Sequence, residues 1–422
     1  MYCGGCLRDN ALTAALRRMG HDALLMPLYT PLTTDETDQS HARIHFGGVN
    51  VYLQQKSKFA RLKNVPEWID RKLDSAGLLR FATGFGLKTD PAELGEMTVS
   101  MLQGDDGLQA RELDKLTKWL KENTRPDVIC LSNGLMAGLA KRLRAELNVP
   151  VVCTLQGEDY FLDNLPESSR EKAWNLLRGC AKHVSAFVAV SRYYAGTMTE
   201  RLKLPPEKMF AVHNGIDLRG YAPAPHAPKF PTIVYLARMA PEKGLATLID
   251  AFKILKNRNA FPGLSLRIGG SLTANDKAFV KALQADLKRS GFSRDVEFLP
   301  NLDKQQKIEL LQSGSVFSVP ATYGEAFGLF VLEALACGVP VVQPRHGAFP
   351  EVLAETGGGI LCEPDNAVDL ADNLAQLLSN PEKAAQMGAD GRQRVLEKFS
   401  VERMAADVLK VFQIVRAEGV SG

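Results

Sequence analysis

The chain lacks the features of a membrane-spanning, secreted or nucleic-acid-binding protein. No apolar run approaches the roughly 20 residues of a membrane span, and no charged, apolar and cleavable N-terminal signal is present. The net charge is only +3 over 422 residues, which is weak for a protein that holds nucleic acid on a broad basic face. We therefore expect a cytoplasmic protein that does not bind nucleic acid.

Cysteine is also scarce and poorly organised. The seven cysteines are odd in number and dispersed, so no disulfide framework is expected. Only Cys3 and Cys6 share a recognisable spacing, with two glycines between them. A lone Cys-x2-Cys pair lacks the second pair of ligands that a tetrahedral zinc site needs. We therefore expect these cysteines to pack around a turn rather than to bind metal.

What the sequence does contain is an α/β pattern long enough for two domains. Short apolar stretches such as "DVICLS", "VPVVCTL", "TIVYLA" and "VPVVQP" alternate with longer amphipathic ones. This alternation predicts parallel sheets covered by helices on both faces. We predict two doubly wound, Rossmann-like domains facing a cleft, with five strands on each side of the Pro-rich segment 221–231.

That Pro-rich segment sets the predicted domain boundaries. We expect an N-terminal domain over residues 1–217, a linker over 218–231, a C-terminal domain over 232–398 and a terminal helix over 399–422. Apolar residues recur at helical spacing in the last range, which predicts one buried face. Ligands of such sheets bind beyond the carboxyl ends of the strands.

The stretch "PATYGEAFGLFVLEALACGVPVV" combines two carboxylates with a strand, a glycine loop and a helix. Glu325 precedes a helix predicted to begin near Phe327, and Glu333 follows eight residues after Glu325. Eight helical residues span about 12 Å, a scale on which a nucleotide-sugar presents the hydroxyls of its sugar and ribose. The pair could hold both ends of such a ligand, with phosphate at the helix N-terminus. An acidic first turn with one solvated Glu is the alternative explanation.

Two further strand ends carry candidate binding groups. In "YLARMAPEKG", Arg238 and Lys243 suit a diphosphate, whose negative charge they would stabilise as it leaves; surface charges are the alternative. In "LRIGG", Gly269 and Gly270 end a strand where a ligand backbone or base could approach closely.

Together these stretches resemble the GT4-type (glycosyl transferase group 1) family of nucleotide-sugar glycosyltransferases, which have the GT-B fold. The resemblance covers the second half of the chain and includes "VHNGID" before the linker and "GAFPEVL" after the helix. It implies that Glu325 lies near the donor sugar and Glu333 at the donor ribose. Arg238 and Lys243 would bind the diphosphate, assisted by the backbone amides of residues 327–329.

The resemblance also implies the chemistry. A hexosyl unit would pass from a UDP-, GDP- or ADP-linked donor to a glycan, lipid-linked or small-molecule acceptor, with retention at the anomeric carbon. No cofactor or metal is implied, and no Asp-x-Asp pair is present to hold one. The terminal helix would pack back onto the N-terminal domain.

The chain departs from the family in its first domain. Where the family has a Thr-x-His-Gly stretch, this sequence has "CTLQGEDYF", with Gln156 in place of the His. Gln can hydrogen-bond a sugar hydroxyl but carries no charge, so any role needing an imidazole is in question. Glu158 and Asp159 are the nearest substitutes, or else helix-start acids favoured by the helix dipole.

The N-terminus matches the family's Gly-Gly loop and following helix, but without the strand that leads into them. Gly4 and Gly5 would form the loop and supply backbone amides near the donor sugar or acceptor. We expect the true start to lie upstream. The residues expected to be catalytic are Glu325, Arg238, Lys243 and Gln156. The full set of expected site residues is, on the donor side, Arg238, Lys243, Gly269, Gly270, Glu325, Phe327, Gly328, Leu329 and Glu333, and, on the acceptor and sugar side, Gly4, Gly5, Gln156, Glu158 and Asp159.

Competing functions remain open. A catalytically weak or inactive sugar-nucleotide-binding protein of GT-B fold would keep the donor residues. A glycoside hydrolase would use Glu325 and Glu333 as acid and nucleophile but would leave Arg238 and Lys243 idle. A phosphorylase would need a lysine for pyridoxal phosphate, and no lysine has such a context.

The acceptor is the least specified part. "FGGVNVYLQQ" faintly resembles a segment of glycogen-synthase-like relatives, which favours glucans slightly. The cations of residues 56–63 could touch an anionic membrane from its inner face, or form a solvated helix face.

Overall fold

The computed structural model describes residues 4–28, 34, 36–41, 46 and 91–420. The chain divides into two compact units. We call Met1–Ala11 with His213–Met404 the C-terminal unit, and Leu12–Val212 with Ala405–Gly422 the N-terminal unit. The predicted division kept residues 1–217 together, whereas the first helix, α1 (Gly4–Arg18), starts in the C-terminal unit.

The grouping of the chain start with the C-terminal unit has a local cause in α1. The buried Arg8 of that helix donates from its Nε to the Oδ1 of Asn214 at 3.0 Å. A hydrogen bond between buried groups of this kind fixes both partners. Residues 1–11 therefore belong with the segment that follows His213.

The N-terminal unit contains a parallel sheet of four strands within the described residues, in the order β1-β2-β3-β4. Its strands are β1 (Ile129–Leu131), β2 (Val151–Leu155), β3 (Ala186–Ala189) and β4 (Met209–Ala211). All residues of β2 and β3 are buried, as expected for continuous apolar strands covered on both faces. The helices after α1 in this unit are α2 (Pro91–Leu102), α3 (Ala110–Asn123), α4 (Ala140–Leu147), α5 (Glu158–Asp163), α6 (Glu167–Cys180) and α7 (Arg192–Leu202).

The C-terminal unit contains a parallel sheet of six strands in the order β10-β9-β8-β5-β6-β7. Its strands are β5 (Thr232–Leu236), β6 (Ser265–Gly270), β7 (Val296–Pro300), β8 (Val316–Phe317), β9 (Val341–Pro344) and β10 (Gly359–Cys362). The sequence predicted five strands here; β10 was missed because "GILC" is short and only its last residue is buried.

The helices of this unit connect the strands and cover the sheet. They are α8 (Leu245–Arg258), α9 (Lys277–Arg289), α10 (Lys304–Gln312), α11 (Leu329–Ala336), α12 (Phe349–Thr356), α13 (Ala367–Leu378), α14 (Pro381–Lys398) and α15 (Val401–Val420), which belongs to this unit only up to Met404 and to the N-terminal unit from Ala405 onward. Local signals set several of their ends. At α10, Asp303 and Gln306 form a reciprocal capping box, which satisfies two otherwise unpaired backbone donors.

The strand order places a topological switch point between β5 and β8. β5 pairs with β6 on one side and with β8 on the other, through Ile233↔Val316 and Val234↔Phe317. In open α/β sheets, ligands bind at such a point, beyond the carboxyl ends of the strands. The loops after β5 and β8 are the ones that carry the candidate residues.

Two expectations fall outside the described residues: the cationic segment 56–63 and most of "FGGVNVYLQQ". Of the helices that the structure does describe, none is both long and apolar enough to cross a bilayer.

Candidate functional site

The loop after β5 is held in shape by a buried tyrosine. Tyr235, the fourth residue of that strand, donates from its hydroxyl to the carbonyl oxygen of Arg238 at 2.9 Å. Arg238 in turn forms an ion pair with Glu242, one turn further on. Its side chain is 41% exposed, so the guanidinium remains accessible to a ligand.

A close backbone approach brings this loop against the loop after β8. Gly244 has a φ of +70°, and a Cβ atom there would lie 1.7 Å from the carbonyl oxygen of Pro320. Only glycine fits such a position. The contact is reinforced by the Thr322 amide, which donates to the Glu242 carbonyl at 3.0 Å. This close approach places Lys243, next to Gly244, beside the loop that contains Glu325.

Lys243, Glu325 and Tyr323 form one compact cluster. The Lys243 Nζ lies 2.5 Å from Glu325 Oε2, and it also bonds the Tyr323 hydroxyl. The Tyr323 hydroxyl donates to the same carboxylate oxygen at 2.9 Å. The ammonium lies 4.8 Å from the centroid of the Tyr323 ring, within cation–π range. Sequence reasoning missed Tyr323, although it stands two residues before Glu325 in the quoted stretch.

Glu325 itself lies in the loop and not in the helix. The helix α11 begins at Leu329, two residues later than predicted. The Glu325 carbonyl accepts a hydrogen bond from the Ala348 amide at 2.9 Å, which fixes the loop against the start of α12. This backbone contact with Ala348 holds the loop so that the Glu325 carboxylate lies at the carboxyl edge of the sheet.

Glu333, in α11, is held by a separate pair of donors. Its Oε1 accepts from the Tyr221 hydroxyl at 2.8 Å and from the Lys307 Nζ at 3.0 Å. The side chains of Lys307 and Glu333 are 12% and 16% exposed. The structure therefore places Glu325 and Glu333 in two distinct polar clusters, each with a partner that the sequence did not reveal.

The N-terminus of α11 lies between these clusters. Gly328 occupies the N-cap position, and no side chain caps the helix, so its first-turn amides lack side-chain acceptors. Phe327 is buried, with ring contacts to His213 and Phe399, and it fixes the direction in which the helix starts. The Val331 amide donates to the Gly328 carbonyl at 3.0 Å, while the uncapped start of the helix and its dipole favour an anion at this position.

The first helix also starts at this place. A Cβ atom on Gly4 would lie 3.9 Å from the Leu329 Cδ1, so the N-terminus of α1 adjoins that of α11. The expectation of a Gly-Gly loop was wrong: Gly4 and Gly5 lie in the first turn of α1. The physical reason is that first-turn amides have no intrahelical partner in any helix, so glycine is tolerated there.

The structure gives Gly269 and Gly270 a packing role that the sequence did not reveal. A Cβ atom on Gly269 would lie 2.2 Å from the Leu310 Cδ2, and one on Gly270 would lie 1.7 Å from the Ala237 carbonyl oxygen. The space next to both glycines is filled by the protein itself. They are needed so that β6 can pack against α10 and against the loop that leads to Arg238.

In the N-terminal unit, Gln156 and Glu158 follow β2 directly. The Gln156 Nε2 donates to the Ser132 carbonyl at 2.6 Å. The Glu158 carboxylate is buried and accepts from the amides of Gly134, Gln156 and Gly157 at 2.9, 2.8 and 3.1 Å. Both side chains are thus engaged by backbone groups of the loops after β1 and β2 in this structure.

A buried tyrosine completes this second cluster. The Tyr194 hydroxyl lies 3.1 Å from Glu158 Oε2 and 3.0 Å from Asp159 Oδ1, either of which it can donate to. Burial raises the pKa of Glu158 above its ordinary value, against the opposing effect of the amides that donate to it. The contacts of Glu158 are those of a group that shapes the loop.

Among the residues that the structure describes, no group of three His, Cys, Asp or Glu side chains is placed to hold a metal ion.

Comparison with protein families gives two matches that together cover most of the chain. The model of the glycosyl transferases group 1 matches residues 222–394. The model of glycosyltransferase family 4 matches residues 98–219. The boundary between them lies next to the Pro-rich segment.

Curated relatives and solved structures agree with these matches. A GDP-mannose-dependent monoacylated alpha-(1-6)-phosphatidylinositol monomannoside mannosyltransferase of Corynebacterium glutamicum is 28% identical, over 66% of this chain and 73% of its own. A glycogen synthase of Mycobacterium tuberculosis is 26% identical, over 72% of each chain. The fold resembles that of sucrose-phosphate synthase from Thermosynechococcus elongatus, with a TM-score of 0.62 at 19% identity, covering 74% of this chain and 79% of that one. It also resembles Anabaena Alr3699/HepE in complex with UDP, with a TM-score of 0.63 at 21% identity over 74% and 84% of the two chains.

Two parallel-sheet α/β domains with these neighbours define a glycosyltransferase of the GT-B fold. The chain belongs to the GT4-type family, the glycosyl transferases group 1.

Proposed function

We propose that the protein is a retaining, metal-independent glycosyltransferase that moves a sugar from a nucleotide-sugar donor to a glycan or lipid-linked acceptor. The observation that carries the proposal is the convergence of Arg238, Lys243, Glu325 and the α11 N-terminus at the β5–β8 switch point. Cations, helix amides and a carboxylate at one edge match the anionic and hydroxyl-bearing parts of such a donor.

The diphosphate would bind between Arg238, Lys243 and the first turn of α11. As the glycosidic bond breaks, negative charge grows on the leaving phosphate, and two fixed cations stabilise it where it develops. This is the charge compensation that a divalent ion supplies in other transferases. No metal is then required at this position.

Donor binding would exchange partners within the site. In the structure, Arg238 is paired with Glu242, and Lys243 with Glu325. A diphosphate would replace these carboxylates as the anion facing each cation. Glu325, released from Lys243, could then accept hydrogen bonds from hydroxyls of the donor sugar, while the leaving phosphate takes the proton of the acceptor.

The ribose would bind at Glu333, whose Oε1 is already occupied by Tyr221 and Lys307. A carboxylate accepts through both of its oxygens, so Oε2 can receive the ribose hydroxyls. Both ends of the donor would therefore be held from α11 and the loop before it.

The relatives support a donor of this class and two kinds of acceptor. One is named for GDP-mannose and a phosphatidylinositol acceptor, another is a glycogen synthase, and a structural neighbour was solved with UDP. We infer a UDP-, GDP- or ADP-linked hexose as donor. Acceptor recognition would involve Gln156 and Asp159 of the N-terminal unit, and the reaction would take place in the cytoplasm or at the inner face of the membrane.

A sugar-nucleotide-binding protein without transfer activity is the second candidate, favoured by the absence of an imidazole at Gln156. Incubation of the full chain with UDP-, GDP- and ADP-sugars, with and without glycan and lipid-linked acceptors, separates the two. Acceptor-dependent release of free nucleotide with an α-configured product is the expected result. Donor binding without release under any acceptor would favour the binding protein, and hydrolysis of plain glycosides would favour a hydrolase.

A further inference from the structure

Tyr221 and Lys307 converge on one oxygen of Glu333. The Tyr221 hydroxyl lies 2.8 Å and the Lys307 Nζ 3.0 Å from Glu333 Oε1. The three residues come from separate parts of the chain: the segment before β5, the helix α10 and the helix α11. Tyr221 is 7% exposed, so its ring is fixed by packing, and its hydroxyl direction follows from that of the ring.

The two contacts leave the other carboxylate oxygen for a ligand. Within the described part of the chain, no side chain or amide donates to Glu333 Oε2. Two donors on Oε1 restrict rotation of the carboxylate about its last torsion, which is otherwise broad. Oε2 is therefore held in one direction before any ligand arrives, which lowers the cost of binding.

Lys307 adds an electrostatic effect to this geometry. The Lys307 ammonium lies 3.0 Å from Glu333 Oε1, and the two side chains are only 12% and 16% exposed. A hydrogen bond from a charged donor is stronger than one from a neutral donor, so Lys307 holds the carboxylate more firmly than a neutral donor would.

We propose that Tyr221 and Lys307 are positioning residues that hold Glu333 so that its Oε2 reads the 2′- and 3′-hydroxyls of the donor ribose. The inference rests on the proposed function, because it assigns the ribose to Glu333. It adds that selectivity for ribose over a sugar lacking these hydroxyls depends on Tyr221 and Lys307, which both lie outside α11 and the loop before it.

The test compares two probes in titration calorimetry on the full chain. One is the nucleoside diphosphate among UDP, GDP and ADP that the wild-type protein binds best; the other is its 2′,3′-dideoxy analogue. The variants are Tyr221→Phe, Lys307→Met, Lys307→Arg and Glu333→Gln. Lys253→Met is the matched control, since Lys253 forms a similar part-buried pair with Asp286 at 2.7 Å, away from the site.

We expect Tyr221→Phe and Lys307→Met each to weaken the ribonucleotide about 3- to 10-fold and to leave the dideoxy analogue nearly unchanged. Lys307→Arg restores most of the affinity, and Lys253→Met changes neither probe. A merely structural role of the pair would weaken both probes equally.

Suppose that Glu333→Gln lowers only the affinity for the ribonucleotide. The inference is then overturned if Tyr221→Phe and Lys307→Met weaken both probes equally, or weaken neither. If Glu333→Gln itself does not distinguish the two probes, or the wild-type protein binds no nucleoside diphosphate, the proposed donor site fails and the inference with it. Tyr221→Phe removes a single oxygen, so it remains informative if Lys307→Met does not fold.

Discussion

The two units present carboxylates at comparable sheet edges, but they hold them in different ways. In the C-terminal unit, Glu325 is paired with the side chains of Lys243 and Tyr323. In the N-terminal unit, Glu158 is bound by three backbone amides and lies deeper, at 6% exposure. The first arrangement joins side chains to each other, and the second joins a side chain to the folded backbone.

The difference separates binding groups from structural ones. A ligand phosphate can replace a carboxylate that faces a lysine, because the lysine keeps a charged partner throughout. No ligand can replace Glu158 without leaving buried amides unpaired, which is costly. We therefore assign the exchange of charged partners to the C-terminal unit and loop stability to Glu158.

The largest expected effect is on catalysis in the C-terminal unit. Lys243→Ala removes a cation that we propose faces the leaving diphosphate, and we expect kcat for nucleotide release to fall by roughly 10²- to 10³-fold. The thermal midpoint should fall as well, because the change leaves the largely buried Glu325 without its cation. Lys253→Ala, which removes a lysine from a pair outside the site, serves as the control and should retain wild-type kcat. A loss of activity equal in both variants would contradict the assignment.

The next effect is on stability in the N-terminal unit. Glu158→Gln keeps the size of the side chain but replaces one acceptor oxygen with a donor, opposite buried amides. We expect the free energy of unfolding to fall by about 2–3 kcal/mol, measured by denaturant titration, with unchanged nucleoside diphosphate affinity in the folded protein. Glu122→Gln, at an exposed pair with Lys118, should change stability by less than about 0.5 kcal/mol. A similar change in the free energy of unfolding in both variants would show that the amide contacts of Glu158 do not contribute to stability.

The raised pKa of Glu158 gives this comparison a pH dependence. As pH rises above the ordinary glutamate value of 4.5, unfolded chains release the proton before the folded protein does, so the contribution of Glu158 to stability decreases until its folded pKa is passed. Unfolding titrations across this window should show a flatter profile for Glu158→Gln than for the wild type. An identical slope would contradict the raised pKa.

The smallest expected effect concerns the more exposed cation. Glu242→Gln removes the carboxylate paired with Arg238 and should tighten nucleoside diphosphate binding by about 2- to 5-fold, since exposed pairs contribute little. The gain should shrink with added salt. The Thr322 amide bonds the Glu242 backbone carbonyl, so the loop contact survives the change. Weaker binding in Glu242→Gln would argue against competition between this carboxylate and the diphosphate.

The clustering of the candidate donor residues could be predicted because they are local in sequence. Glu325, Arg238 and Lys243 follow strand ends in short stretches, and strand ends meet at one edge of a parallel sheet; Glu333 was chosen for its spacing from Glu325. Their partners were missed for the opposite reason: Tyr221 reaches Glu333 from 112 residues away, a pairing that only the folded sheet order creates.

The two glycine pairs show what sequence alone leaves open. At Gly269 and Gly270 the sequence cannot tell whether a ligand or the protein fills the space beside the backbone. Here the neighbours are Leu310 and the Ala237 backbone. In the same way, the sequence of Gly4 and Gly5 suits a loop or a first helical turn equally.

We propose that Glu325 is the ion-pair partner of Lys243 only until a diphosphate takes its place beside the lysine. The most direct measurement is the nucleoside diphosphate affinity of Glu325→Gln, compared with the wild type by titration calorimetry. We expect the variant to bind the diphosphate roughly 3- to 10-fold more tightly, because the competing anion is removed, while transfer of the sugar is lost. Weaker or unchanged diphosphate binding in Glu325→Gln would contradict the account.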